Sequence, residues 1–131
     1  MGKNKENILF ADLVARIPYN VKVEVEIWDN ESESSKMTAL PIYSINTDKY
    51  FYVCTDEDEL QIHIDEIRPY LRKMSSITED EYNEYENYIL NEKDELIQFC
   101  NSLIFYNKYH FDYRGLIEMG LALEAPEGMY N

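Results

Sequence analysis

The period of the apolar residues changes abruptly at Pro18, and this change restricts the fold more than any other feature of the chain. Upstream, Leu9, Phe10, Leu13, Val14 and Ile17 recur at helical spacing and form one stripe over residues 4–17. Pro18 blocks continuation, because it has no N–H to donate and restricts the residue before it. Immediately downstream Val21, Val23, Val25 and Ile27 alternate with Lys22, Glu24, Glu26 and Trp28, the pattern of a strand with one buried face. A short amphipathic helix is marginal alone in water, so this one needs something to pack on.

Extended character continues after a loop. Residues 29–36 are acids, serines, one asparagine and a closing lysine, with no apolar anchor. Residues 37–45 resume a strand, and Pro41 confines it to an edge or a bulge. Asn46-Thr47-Asp48-Lys49 reads as a hairpin turn into the β-prone run Tyr50-Phe51-Tyr52-Val53-Cys54. After a second acidic turn, Leu60, Ile62 and Ile64 alternate with Gln61 and His63. Four short strands joined by polar turns predict a small curled antiparallel sheet, a Src-homology-3-like barrel. Residues 65–71, with Pro69 among them, suit a single helical turn or an extended exit.

The second half is helical. Thr78 followed by Glu81 forms a capping box, and Ile77 and Tyr82 flank it as a hydrophobic staple. The helix that starts there runs to about residue 91, with Tyr82, Tyr85 and Ile89 on one side. Leu96, Phe99, Cys100, Leu103 and Ile104 repeat as the apolar stripe of a second helix that ends near residue 108. Leu116, Ile117, Leu121 and Leu123 make a last short element bounded by Gly115 and Gly120. The expectation is one α+β domain over residues 1–131. It comprises an N-terminal helix, a β module over about 19–72 and a helical segment over about 78–125.

Charge narrows the partners. Twelve lysines and arginines face 26 acids, a formal net charge of −14. In residues 1–28 four bases offset four acids, and in residues 96–131 two bases meet four acids. Twelve of the fourteen net negative charges therefore lie in residues 29–95. Such a field repels phosphate backbones and anionic lipid and attracts basic surfaces. Direct nucleic-acid and membrane binding are thus not expected, whereas a protein partner with a basic or mixed surface is. No apolar stretch approaches the roughly 20 residues that span a bilayer. The polar first residues lack the pattern of a signal peptide. The expected setting is the cytoplasm, with Cys54 and Cys100 reduced and buried.

No constellation carries recognisable chemistry. His63 and His110 stand alone without metal-ligand spacing. Cys100 with His110 could form a thiol–imidazole pair, but Cys100 sits in an apolar stripe, where a thiol behaves as a small hydrophobe. The run Asp56, Glu57, Asp58 and Glu59 has the charge of a calcium loop without its alternating ligands or central glycine. Neither a catalytic site, a metal nor a cofactor is expected. The remaining candidates are contact surfaces. Twelve tyrosines offer rings with a polar tip. Tyr50, Tyr52, Tyr113 and Tyr130, with Arg114, form a candidate partner-binding set; the default for Arg114 is an ion pair with Asp112 or Glu118. Asp56, Glu57, Asp58, Glu59, Glu79, Asp80, Glu84 and Glu86 form a candidate acidic surface that mimics nucleic acid.

Several segments together resemble a known family. They are Pro69-Tyr70-Leu71-Arg72 and Met74-Ser75-Ser76-Ile77-Thr78-Glu79, then His110-Phe111-Asp112-Tyr113-Arg114-Gly115-Leu116-Ile117, and Gly120-Leu121-Ala122-Leu123-Glu124-Ala125. Residues 10–25, with Arg16-Ile17-Pro18-Tyr19, are similar too, while residues 30–60 match least. The family comprises small uncharacterised proteins of gut anaerobic bacteria, their prophages and mobile elements. The resemblance implies an accessory role without assigned chemistry. A non-enzymatic interaction module of phage or prophage origin is the leading expectation, and a nucleic-acid-mimicking inhibitor of a host nuclease or DNA-binding protein is the alternative.

Overall fold

The first helix, α1 (Lys3–Arg16), ends where Pro18 imposes a tight 3-10 turn over Ile17–Tyr19. Asn20 at φ 59° then swings the chain into the first strand. The computed structural model describes residues 2–55 and 58–130. Its strands are β1 (Lys22–Asp29), β2 (Ser34–Ile45), β3 (Tyr50–Cys54), β4 (Glu59–His63), β5 (Arg68–Leu71) and β6 (Leu123–Glu124). They form one sheet in the order β4-β3-β2-β1-β5-β6. All neighbouring pairs are antiparallel except β5 and β6.

The β1–β2 ladder runs from Lys22↔Pro41 to Asp29↔Ser34, which shortens the expected loop to residues 30–33. Backbone pairing extends the hairpin although no apolar side chain anchors it. Beyond Pro41, β2 shifts register between Ile42 and Ser44, a bulge at which it leaves β1 and pairs with β3. Ile64, expected in a strand, opens a 3-10 turn over Ile64–Glu66, and β5 then returns to β1 through Val23↔Pro69 and Glu24↔Arg68.

The expected barrel is not closed. Two features of the chain account for this. The concave face is already filled by α1, whose Leu9 and Leu13 are fully buried among Val23, Val25, Ile42, Phe51, Val53 and Ile62. Phe10 meets Phe51 edge-on at 6.2 Å. The gap between β1 and β4 is also a groove of about 480 Å³ with Glu26 and Glu66 on its walls, like charges that oppose approach, while Glu24 beside them is held by Arg68 at 2.7 Å.

Asp12 and Arg16 share the buried face of α1 with Leu9 and Leu13, and both are fully buried. Arg16 Nε and Nη2 donate to the two Asp12 oxygens at 2.8 and 3.0 Å, and Nη2 also reaches the Phe111 carbonyl at 2.6 Å. A buried ion pair survives only with such added hydrogen bonds. This one ties α1 to the C-terminal part of the chain.

That part holds α2 (Glu79–Tyr85), which continues as one π turn over Glu86–Leu90, and α3 (Glu95–Lys108). Helix stops at α3. The segment with Leu116, Ile117 and Leu121 is a series of turns rather than a helix, because Gly115 and Gly120 take φ of 75° and 77°. The Asp112 carboxylate secures the first turn by accepting from Leu116 N and Ile117 N at 2.8 and 3.0 Å. Leu123 then enters β6 instead of a helical element.

Candidate functional site

The helical hairpin α2–α3 is fixed at its base by Arg72, just past β5. Arg72 donates to both Glu81 oxygens at 2.7 and 2.8 Å and to the Ser76 carbonyl at 2.9 Å. Its guanidinium lies 4.4 Å over the Phe111 ring. The capping box forms as expected: Thr78 Oγ1 accepts from Glu81 N at 3.2 Å and Glu81 accepts from Thr78 N at 2.9 Å. Hydrogen bonding from Arg72 holds the Glu81 carboxyl below the usual carboxylate range. Of the expected staple, Ile77 packs into the cluster of Ile89, Phe105 and Phe111, whereas Tyr82 is 48% exposed.

Within the hairpin, Tyr85 meets Phe105 edge-on at 5.2 Å and stacks on Tyr106 at 6.0 Å. The Gln98 amide donates to the carbonyls of Ile89 and Leu90, both at 3.3 Å. Asp94 caps α3, accepting from Leu96 N and Ile97 N. Gln98, Ser102, Phe105 and Tyr106 therefore face inward, and Asn107 is buried at the C-terminal end of α3, where it accepts from Tyr113.

The residues expected to form its packing stripe point the other way. Leu96 is 71% exposed, Phe99 60% and Ile104 52%, joined by Ile97 at 48% from outside the expected stripe, while Leu103 is half-buried. Tyr88, 76% exposed, borders them across a shallow groove it shares with Ile104. Cys100 lies exposed among them, and Cys54 is exposed as well, so neither thiol is buried as expected. At 100° per residue the apolar positions cover an arc of about 160°, from Phe99 through Leu103, Leu96, Cys100 and Ile104 to Ile97. No acid interrupts that arc. An uncharged apolar face on so acidic a chain is the most distinctive surface of the molecule.

The tyrosine set does not form one surface. Tyr50 packs edge-on against His63 at 4.9 Å, and the Tyr52 hydroxyl accepts from Asn46 and Gln61 at 2.9 and 3.1 Å. The Tyr113 hydroxyl donates to Asn107 at 3.1 Å and accepts from Arg114 at 3.0 Å. Arg114 bonds Asp12 at 3.2 Å, a partner 102 residues away, instead of Asp112 or Glu118. Tyr130 stacks on His110 at 3.8 Å; its hydroxyl donates to the Tyr70 carbonyl at 2.7 Å and accepts from Lys22 N at 2.9 Å. Burial pushes that phenol up to about 12. Of the acidic set, Asp56 and Glu57 lie outside the described residues. Glu59 opens β4 and bonds the Tyr43 hydroxyl, and Asp58 lies just before it. Glu79, Asp80 and Glu84 ride on α2 and Glu86 opens the π turn that continues it; Glu84 faces Lys108 at 3.6 Å. The acids thus occupy two separate elements.

His110, at φ 62°, is buried between helix end and tail, and desolvation lowers its imidazole to about 4, with Arg16, Arg72 and Lys22 pushing the same way. Cys100 stands on the open face of α3, so the pair imagined from sequence has its members in opposite surroundings. Among the described residues no group of three or more histidine, cysteine or carboxylate side chains is placed to hold a metal ion. No helix of the described residues is long and apolar enough to cross a membrane. Compared with family models, curated proteins and solved structures, the chain matches none.

Proposed function

We propose that this chain is a non-enzymatic, acidic protein-interaction module whose contact surface is the outer face of α3. The observation that carries the reading is the exposure of Leu96, Phe99, Ile104 and Ile97 on a helix whose other face is already packed. Exposed apolar side chains in one contiguous arc mark interaction surfaces. The wider role, a phage or prophage accessory protein acting in the cytoplasm, follows the family resemblance. The return of β5 to β1 after a four-strand meander supports a Src-homology-3-like sheet left open. The net charge of −14 favours a partner with a basic or mixed surface and disfavours phosphate backbones.

The test compares the wild type with a Leu96→Glu/Phe99→Glu variant. Association with any protein, self included, is expected to weaken at least about tenfold in the variant. Equal retention by both proteins would place the contact elsewhere, and absence of any association would remove the module reading. A gel shift with duplex or single-stranded DNA at low salt is expected to show no binding.

A further inference from the structure

We infer that the occupant of the α3 face is a second copy of this chain, packed through an antiparallel crossing of the two α3 helices centred near Cys100. The inference rests on the reading of α3 as a contact surface and adds the identity of the partner.

Two observations favour self-pairing, and a third sets the sign of its salt dependence. The first is area. Tyr88, Leu96, Ile97, Phe99 and Ile104 together leave roughly 600 Å² of side-chain surface open per copy, scaled from their fractional exposures and ordinary side-chain sizes. A standard interface buries about 800 Å² per partner, of which a little over half is apolar. The open face alone supplies that apolar share. An arc of about 160° is also wider than the stripe a single small peptide helix covers, and suits a second α2–α3 hairpin completing a four-helix packing.

The second observation is register. The sequence of the face is self-complementary about Cys100: an antiparallel crossing sets Leu96 against Ile104 and Ile97 against Leu103 of the second copy. Cys100 lies near the middle of the arc and so close to the two-fold axis. The same crossing brings Lys108, on one flank and 50% exposed, to the acidic Asp94 end of the second α3. Lys108 already faces Glu84 of its own chain at 3.6 Å, so this contact exchanges one acid for another and leaves the net repulsion in place.

The third observation is the charge map. Residues 96–131 carry only −2 of the −14, but Glu92, Asp94 and Glu95 lie at the start of α3, so two copies that meet there repel. This separates a second copy from a basic partner by sign. Screening relieves the repulsion between two chains of −14, so the self-complex tightens as salt rises, whereas a complex with a basic partner loosens.

The experiment uses the full chain carrying Cys54→Ser, which leaves Cys100 as the single thiol. Sedimentation velocity is run across about 1 to 200 μM protein at about 50 and 500 mM NaCl, with and without a short bismaleimide cross-linker. The expected result is a monomer–dimer equilibrium that is tighter at the higher salt, with the cross-link captured at Cys100. The Leu96→Glu/Phe99→Glu variant, checked for an unchanged circular dichroism melt at low concentration, is expected to raise the dissociation constant at least about 30-fold. A monomer at every concentration overturns the inference. So does a dimer that the variant leaves intact, or one that bismaleimide does not link. If the wild type is monomeric yet the variant loses a different protein partner, the contact-surface reading survives and only the second copy is rejected.

Discussion

The α1–sheet body and the α2–α3 hairpin treat polarity in opposite ways. The body takes charge inside: Asp12 and Arg16 are fully buried and answer each other, the Phe111 carbonyl and Arg114. The hairpin leaves grease outside: five large apolar or aromatic side chains on or beside α3 are between 48% and 76% exposed. A body that buries an ion pair has closed on itself, since an unanswered charge there would cost several kcal/mol. On the function proposed above, a helix that is apolar on both faces has a second partner to meet, which assigns stability to the first region and recognition to the second.

The strongest way to break that division is to attack the buried pair. Asp12→Ala, which strands Arg16, is expected to cost about 3–5 kcal/mol in urea unfolding, more than an Asp12→Leu/Arg16→Met double substitution that removes both charges. A loss under 1 kcal/mol for Asp12→Ala would deny the body its electrostatic anchor.

Next in size is acid sensitivity at the seam between the regions. The folded imidazole of His110 titrates near 4, below its ordinary 6.5, so the unfolded chain takes up the proton first as pH falls. Stability from this group is complete above pH 6.5 and drains away between 6.5 and 4, by up to about 3 kcal/mol. Glu81, whose carboxyl is also lowered, adds a further loss only below the ordinary carboxylate range. His110→Asn, which tolerates the positive φ, is expected to flatten the profile between pH 6.5 and 4. An unchanged profile would show that the imidazole is not held neutral. Smaller again is Thr78→Ala, expected to cost about 1 kcal/mol through loss of the cap that starts the hairpin. An unmoved urea midpoint would contradict that origin.

Local chemistry was legible in the sequence wherever neighbours in the chain decide it. Pro18 ends α1 and the Thr78/Glu81 box starts α2 at the expected places because each rests on residues within one helical turn, and Asp94 caps α3 by the same local chemistry, which the sequence reading missed. Long-range partners were not legible. Asp12 and Arg16 entered the sequence reading only as two of the N-terminal charges that cancel, although their spacing with Leu9 and Leu13, on one helical face, carried the hint of burial. Arg114 had acids close by in the chain and chose one 102 residues away. Periodicity also found the apolar stripe of α3 but could not say which way it faces, because Phe105 and Tyr106 supply a second, inward face. Barrel closure depended on α1 filling the concave side, a packing event that strand patterns do not encode.

The most direct test of the division is the stability of Leu96→Glu/Phe99→Glu, measured by urea unfolding at submicromolar concentration, where self-association is absent. Two charges placed on an open face are expected to change the unfolding free energy by no more than about 0.5 kcal/mol each. A loss of several kcal/mol, the cost of putting charge into a packed interior, would show that the α3 face is core and would contradict the account.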